Sequence, residues 1–293
     1  MRSLNMSVIL VTLLVASLEI ARADDLSSSA RVSYVSFPSL HPDRPVIVAG
    51  RLIVPSSSRL KVPAVLIVHG SAGLDGRGPL MAAALTQGGL ATLEIDMWAP
   101  RGLKGGADRP RGVIETLPDA FGALRFLSNH SAIDPERIGI TGFSWGGIVS
   151  MLTASKPLAD QYAPAGLRFR GHSPFYPVCW IYNNPQQPEY VFKELTGEPV
   201  FIQGGELDAY DEPETCEKLV DSLSATSRRV VSLKMYPGAT HAFDDPDPEH
   251  VFWDSAAKLG RGGEVRVTPN PAVAAMAREA TVKFFSEIFG LTK

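Results

Sequence analysis

The 293-residue sequence predicts an α/β protein with a mostly parallel, doubly wound sheet and helices on both faces. Strand-like and helix-like segments alternate along the chain, which is the pattern that a parallel sheet with crossover helices produces. Residues 64–68 form a short, continuous apolar run, typical of a strand that is buried on both faces. Since no repeat or shift in composition divides the sequence, we expect one domain over residues 24–293.

The first third of the chain predicts four strands and one helix. Residues 31–36 alternate weakly, and residues 45–55 form a second strand bounded by prolines. The run at 64–68 is the third strand, and residues 91–96 are the fourth. Residues 78–88 can be helical, with a proline in the first turn.

The remaining two thirds continue the alternation. Residues 117–128 carry apolar side chains at helical spacing and predict a helix. Residues 137–141 predict a strand that runs into a glycine-rich turn at 142–147 and then a helix through Ala154. Later strands are expected at 171–178, 199–203 and 230–235, and later helices at 216–223 and 272–289. Residues 244–271, rich in Asp, Pro and Gly, predict one long irregular insertion, and a role for it as a lid stays open.

The N-terminus has the pattern of a secretory signal peptide over residues 1–23. Arg2 supplies a positive charge, and residues 6–18 form an apolar stretch of about a dozen residues, the length of a signal-peptide core. Small residues at Ala21 and Ala23 then predict cleavage after Ala23. The alternative is a membrane anchor, but a spanning helix needs about 20 apolar residues, and Glu19 ends this run too early.

Composition and cysteine usage fit an exported protein whose partner is a small molecule. The net charge of -3 and the pI near 6.1 give no reason to expect nucleic acid or, after signal cleavage, a membrane as a partner. A lipoprotein anchor would need a cysteine at the cleavage site, and the two cysteines are Cys179 and Cys216. In a periplasmic or secreted protein they predict a disulfide, with two buried free thiols as the alternative.

The chemistry centres on Ser144, in the run Gly142-Phe143-Ser144-Trp145-Gly146-Gly147. A strand that ends in Gly-x-Ser-x-Gly and turns directly into a helix is a nucleophile elbow, where small residues leave room for a strained turn. The helix start also lets the Trp145 amide face an oxyanion. We therefore predict Ser144 as a nucleophile.

Serine needs a base and an orienting carboxylate, which follow it in the order acid, then histidine. Of the three downstream histidines, His241 follows a strand in a Pro-Gly turn, whereas His172 precedes every candidate acid and His250 lies in the insertion. Asp208 ends the strand at 199–203 in a loop and is the favoured acid. Glu206 and Asp211 compete with it as nearby carboxylates.

A second oxyanion donor is expected from the loop after the strand at 64–68. The sequence there is His69-Gly70-Ser71-Ala72-Gly73, so the backbone amide of Ser71 or Ala72 could complete the hole. His69 itself is interpreted as a residue that shapes the loop.

Two groups of residues, one basic and one aromatic, are candidates for contacts with a substrate. Arg101, in a basic loop with Lys104, Arg109 and Arg111, could meet a substrate carboxylate, although a solvated loop is the alternative. Aromatic residues that could line an apolar pocket are Trp98, Trp145, Phe175, Tyr176 and Trp180, of which Trp145 is the strongest candidate. No cluster with metal-ligand spacing and no phosphate loop occurs in the sequence, so no metal and no cofactor is expected.

Taken together, the motifs resemble the dienelactone hydrolase family of α/β-hydrolases over nearly all of the mature chain. They are His69-Gly70-Ser71-Ala72-Gly73, Ile95-Asp96 with Pro100-Arg101-Gly102, Asp134-Pro135-Glu136-Arg137-Ile138-Gly139, Phe175-Tyr176-Pro177, Gly205-Glu206-Leu207-Asp208 and Tyr236-Pro237-Gly238-Ala239-Thr240-His241-Ala242-Phe243. The resemblance implies the α/β-hydrolase fold and a triad of Ser144, Asp208 and His241.

The dienelactone hydrolases proper resemble this chain but use a cysteine at the elbow and are cytoplasmic, whereas this chain has Ser144 and a predicted export signal. Both differences point away from the cyclic dienelactone and toward a general carboxylesterase-like member. We expect a serine hydrolase of small-molecule esters or lactones. The alternatives are a peptidase or amidase on the same triad and a non-catalytic binding protein of the same fold.

Overall fold

A computed structural model describes residues 30–56, 60–164 and 166–291. The predicted signal peptide, residues 1–23, lies outside the described residues. None of the helices in the described ranges combines the length and the apolar character needed to cross a bilayer.

An eight-stranded sheet forms the centre of the molecule, in the order β1-β2-β4-β3-β5-β6-β7-β8. Its strands are β1 (Ala30–Pro38), β2 (Ile47–Pro55), β3 (Val62–Val68), β4 (Ala91–Asp96), β5 (Ile133–Phe143), β6 (His172–Phe175), β7 (Val200–Leu207) and β8 (Val231–Thr240). Strand β2 pairs antiparallel with β1 and β4, and all pairings from β4 through β3 to β8 are parallel. The predicted mostly parallel sheet is confirmed.

Helices cover both faces of this sheet. They are α1 (Arg77–Gln87), α2 (Leu117–Ser128), α3 (Trp145–Thr153), α4 (Lys156–Tyr162), α5 (Thr215–Asp221), α6 (Ala225–Arg228), α7 (Ala257–Gly260) and α8 (Pro271–Ile288). In β3 the side chain of Leu66 joins the core under α2 and α3, whereas its neighbour Ile67 joins the second core under α1 and α8. Alternate side chains of β3 thus enter different cores, which is why this strand is apolar throughout.

The prediction of an irregular insertion at 244–271 is wrong. The segment contains an antiparallel hairpin, β9 (His250–Asp254) and β10 (Gly263–Val267), with α7 between its strands. Strand β10 alternates strictly, with Val265 and Val267 buried and Glu264 and Arg266 exposed. The flanking Asp, Pro and Gly residues obscured this short pattern. The insertion's ends meet, because the Asn270 N–H donates a hydrogen bond to the Phe243 carbonyl at 2.8 Å.

Candidate active site

Ser144 lies at the sharp turn between β5 and α3, with backbone angles φ 50° and ψ -108°. A non-glycine residue rarely adopts a positive φ, so this turn is strained. The glycines after it allow close backbone approach. A Cβ atom on Gly146 would lie 2.1 Å from the Val68 carbonyl oxygen, and one on Gly147 would lie 2.5 Å from the Phe175 carbonyl oxygen. The elbow therefore requires glycine at both positions.

The structure brings the three predicted triad side chains into one hydrogen-bonded chain. His241 Nε2 lies 2.9 Å from Ser144 Oγ, and His241 Nδ1 lies 2.8 Å from Asp208 Oδ2. Asp208 directly follows β7, and His241 directly follows β8, so the ends of parallel strands place all three residues at one edge of the sheet. His241 and Asp208 are buried, with 2% and 8% of their surfaces exposed. The geometry suits proton transfer from the serine to the imidazole.

The two competing carboxylates have other partners. Glu206 is exposed and accepts a hydrogen bond from the Gly238 N–H at 3.0 Å. Asp211 accepts from the backbone N–H groups of Cys179 and Trp180 at 2.7 and 2.9 Å. Burial, together with the charge of nearby Asp208, raises the pKa of Asp211 to about 7. Neither residue hydrogen-bonds His241, so Asp208 is the acid that the geometry selects.

His69 shapes a loop, as its position in the sequence suggested. Its Nε2 accepts the Met97 N–H at 2.9 Å, which assigns the ring proton to Nδ1, 2.8 Å from the Gly70 carbonyl oxygen. Burial lowers the pKa of His69 and favours the neutral ring. His172 is fully buried against α3, where burial lowers its pKa to about 3, and His250 is exposed on β9.

Ser144 opens into a cavity of about 290 Å³, called here the central cavity. Val113, Ile148 and Ile181 form its apolar wall, and Arg109 and Asp254 lie at its polar side. The predicted contact residues Ser71 and Trp145 both line it, and so does Trp180. Phe175, Tyr176 and Trp98 are instead buried beside the cavity, in the core.

Arg101 lies away from the central cavity, in contrast to the sequence-based expectation. Its guanidinium donates to Asp119 Oδ2 at 2.7 Å and to the carbonyl oxygens of Met97 and Glu115, both at 2.9 Å. Asp119 is fully buried and needs this partner, because an unpaired buried carboxylate is costly. Arg109 and Arg111 line the cavity instead. Only tertiary structure distinguishes these arginines, since all three belong to the same basic loop.

The assignment of Trp145 and Ser71 as oxyanion donors stays a prediction, and both residues line the central cavity together with Ser144. Trp145 is the first residue of α3, so its N–H belongs to the free N–H groups at a helix start. The Ser71 carbonyl accepts the Gly106 N–H at 2.7 Å and the Trp98 indole N–H at 3.2 Å. These two bonds fix the orientation of the peptide group that joins the Ser71 carbonyl to the N–H of Ala72, the alternative donor.

Cys179 and Cys216 form the predicted disulfide, with an S–S distance of 2.01 Å. The bond joins the turn Cys179–Ile181 to α5. Two residues of that turn, Trp180 and Ile181, line the central cavity. The disulfide therefore braces one wall of the candidate site.

The model of the dienelactone hydrolase family matches residues 48–289. A Bradyrhizobium protein named as a probable 2-oxo-3-(5-oxofuran-2-ylidene)propanoate lactonase is 24% identical over 231 residues, which cover 75% of this chain and 81% of that protein.

Solved structures share the fold. A Klebsiella pneumoniae protein assigned as a dienelactone hydrolase has a TM-score of 0.60 at 16% identity, covering 87% of this chain and 99% of that one. Esterase 2 of Thermogutta terrifontis, solved after phosphorylation by paraoxon, has a TM-score of 0.59 at 17% identity, covering 88% and 94%. The family match spans most of the chain and includes Ser144, Asp208 and His241. The chain is therefore a hydrolase that acts on ester bonds and belongs to the dienelactone hydrolase family.

Proposed function

We propose that this protein is a serine hydrolase that cleaves carboxylic esters or lactones of small molecules through an acyl-enzyme. The observation that carries the proposal is the continuous chain from Asp208 through His241 to Ser144, with distances of 2.8 and 2.9 Å, at the wall of a cavity. Serine alone is a weak nucleophile, and this arrangement supplies both the base and its orienting group.

In the acylation step Ser144 Oγ attacks the ester carbonyl carbon while His241 Nε2 takes the hydroxyl proton. The carbonyl oxygen becomes an oxyanion, for which the backbone N–H groups of Trp145 and Ser71 are the proposed donors. His241 then gives its proton to the leaving alcohol as the C–O bond breaks. Asp208 accepts a hydrogen bond from the Nδ1–H of His241, which orients the ring and stabilises the imidazolium that forms.

In the deacylation step a water molecule takes the place of the alcohol. His241 removes a proton from that water, the resulting oxygen attacks the acyl carbon, and the proton passes to Ser144 Oγ as it leaves. The products are a carboxylic acid and an alcohol, or one hydroxy acid from a lactone. The serine is regenerated with no external oxidant or reductant.

A fluorophosphonate probe tests the nucleophile directly. We expect covalent labelling of the wild-type protein and its loss in Ser144→Ala, whereas Ser255→Ala, which removes another cavity hydroxyl, keeps the label. Phosphorylation of the Thermogutta terrifontis esterase by paraoxon supports the choice of a phosphorus probe.

Turnover assays separate the alternatives. We expect hydrolysis of p-nitrophenyl acetate and a loss of kcat of at least about 10⁴-fold in Ser144→Ala. Turnover of a peptide p-nitroanilide without ester turnover would identify a peptidase. Absence of labelling and of turnover in the folded protein would favour a binding protein.

We also propose that the protein is exported and then cleaved after Ala23. The Cys179–Cys216 disulfide supports this, because such bonds persist in oxidising compartments. N-terminal sequencing of the protein from a periplasmic or culture fraction should begin at Asp24. An intact N-terminus in that fraction would contradict the cleavage.

A further inference from the structure

Two further cavities share lining residues with the central cavity. One, of about 560 Å³, shares Trp180, Gln187 and Gly260 with it. We call this the amide-side cavity. The other, of about 490 Å³, shares Ser71, Arg109 and Asp254 with it, and we call this the aromatic-side cavity. The three cavities adjoin one another, with Ser144 in the central one, and we call them together the cleft.

The insertion that contains β9 and β10 contributes to the wall of every part of this cleft. Ala256 lines the central cavity, Leu259 the amide-side cavity and Phe252 the aromatic-side cavity. The insertion also fixes Trp180, whose indole N–H donates to the Ala256 carbonyl at 3.1 Å. An atom added at Gly260 would lie 2.5 Å from the Trp180 ring, so the backbone packs directly against that ring.

The amide-side cavity has the chemistry of a site for hydroxyl groups. Asn184, Gln186 and Gln187 line it, and a carboxamide both donates and accepts hydrogen bonds, as a hydroxyl does. Among the described residues, the amide groups of Gln186 and Gln187 have no side-chain hydrogen bond, so both are free to meet a ligand. Glu212 and Lys218, which also line the cavity, form ion pairs with Arg261 and Glu214 respectively, both at 3.8 Å. A neutral, hydroxyl-rich group fits this lining best.

The aromatic-side cavity favours an apolar group. Phe252 and Trp253 line it, and Trp253 is 68% exposed, which is unusual for so large an apolar side chain. An atom added at Gly262 would lie 2.9 Å from the Trp253 ring, so the ring rests on backbone. Such a supported, exposed ring can stack against an aryl group.

We propose that the cleft selects an extended ester that joins a carbohydrate-like polyol to an aryl-bearing acid. The polyol occupies the amide-side cavity, and the aryl group lies toward Trp253. This inference rests on the proposed function, because the scissile carbonyl must lie at Ser144 between the two groups. A small ester would fill the central cavity alone and leave both outer cavities unused.

Four esters in a two-by-two design test the proposal with the mature protein. They are methyl acetate, methyl cinnamate, and the acetyl and cinnamoyl esters of methyl glucoside. We expect kcat/KM to rise at least about tenfold on changing methyl to glucosyl, and again on changing acetyl to cinnamoyl. Ratios within threefold of unity, in an enzyme that hydrolyses simple esters, would overturn the inference.

Two cleft variants test which cavity produces the glucosyl preference and which produces the cinnamoyl preference. The double variant Gln186→Ala/Gln187→Ala should abolish most of the glucosyl preference, and Trp253→Ala should reduce the cinnamoyl preference at least about threefold. The matched controls are Gln161→Ala and Tyr34→Ala, which change exposed residues outside the cleft and should leave both ratios unchanged.

Two further results would distinguish failure of the cavity assignment from failure of the proposed function. Preferences that persist in both cleft variants would overturn the assignment of the cavities. If none of the four esters nor p-nitrophenyl acetate is hydrolysed by the folded protein, the proposed function itself fails.

Discussion

Arg109, from the loop after β4, and Asp254, at the end of β9, form an ion pair at the side of the central cavity, with 2.7 Å between Nη2 and Oδ2. The Asp254 side chain is 4% exposed and that of Arg109 is 25% exposed. The pair joins the loop after β4 to the insertion, and both residues line the central and the aromatic-side cavities. The guanidinium of Arg109 also lies 5.9 Å from the centre of the Trp145 ring, next to the nucleophile.

Replacing Arg109 by Gln should lower the free energy of unfolding by about 1–3 kcal/mol at pH 7, because a buried carboxylate loses a charge-assisted hydrogen bond. Burial acts to raise the pKa of Asp254, but hydrogen bonds from the Ala256 N–H, Arg109 and Tyr210 outweigh it and lower the pKa below 3.8. This stabilisation is therefore fully present above pH 3.8 and is lost as the pH falls through the lower folded pKa.

Urea denaturation of both proteins at several pH values measures this effect. The difference between wild type and Arg109→Gln should be largest near neutral pH and shrink below about pH 4. Arg111→Gln is the matched control, since Arg111 lines the same cavity and makes no ion pair with the described residues. A difference that grows toward low pH would contradict the prediction.

Asp208→Asn should lower kcat for p-nitrophenyl acetate by about 10³–10⁴-fold, because an amide facing Nδ1 favours the wrong tautomer of His241. Glu206→Gln, which changes the exposed carboxylate two residues earlier, should alter kcat less than twofold. Steady-state kinetics on both variants, with circular dichroism to verify folding, provide the measurement. Equal losses in the two variants would reopen the choice of acid.

Gly146→Ala should destabilise the protein by about 2–4 kcal/mol, since its Cβ would lie 2.1 Å from the Val68 carbonyl oxygen and the backbone must shift. Gly112→Ala is the control, because that residue has φ -141° and its nearest neighbour would lie 3.6 Å from the new Cβ. Thermal and urea unfolding should leave the control within about 0.5 kcal/mol of wild type. A Gly146→Ala protein as stable as the control would refute the close approach at the elbow.

Removing both cysteines, as Cys179→Ala/Cys216→Ala, should cost about 3–4 kcal/mol, because the bond closes a loop with a sequence separation of 37 residues. Denaturation of wild type with and without a reductant checks the same quantity independently. Mass spectrometry of the unreduced wild type should detect the linked Cys179 and Cys216 peptides. Free thiols at both positions in the unreduced protein would contradict the bond.

Much of the fold follows from local sequence pattern. The strand at β3 and the turn at Ser144 are encoded by a few adjacent residues, an apolar run and a set of small residues around the serine. Order along the chain then restricts the base and acid to segments that follow strands, which is where His241 and Asp208 lie. The disulfide partners were predictable because the chain has only two cysteines.

The cleft was harder to predict because its walls come from distant segments. Arg101 and Arg109 belong to one loop. Arg101 lies away from the central cavity because it binds the buried carboxylate of Asp119. The hairpin of β9 and β10 has five residues in each strand, too few for an alternating pattern to stand out among Asp, Pro and Gly. The polar lining of the amide-side cavity depends on turns whose sequence carries no periodic signal.

The joined ends of the insertion have a consequence for changes in its length. The hydrogen bond from the Asn270 N–H to the Phe243 carbonyl holds the departure and return points of this segment together. The closure entropy of such a loop grows only slowly with its length, so residues added to the turns of this segment cost little in chain entropy. Ser144, Asp208 and His241 all lie outside this segment, so a change in the length of its turns need not move any of the three.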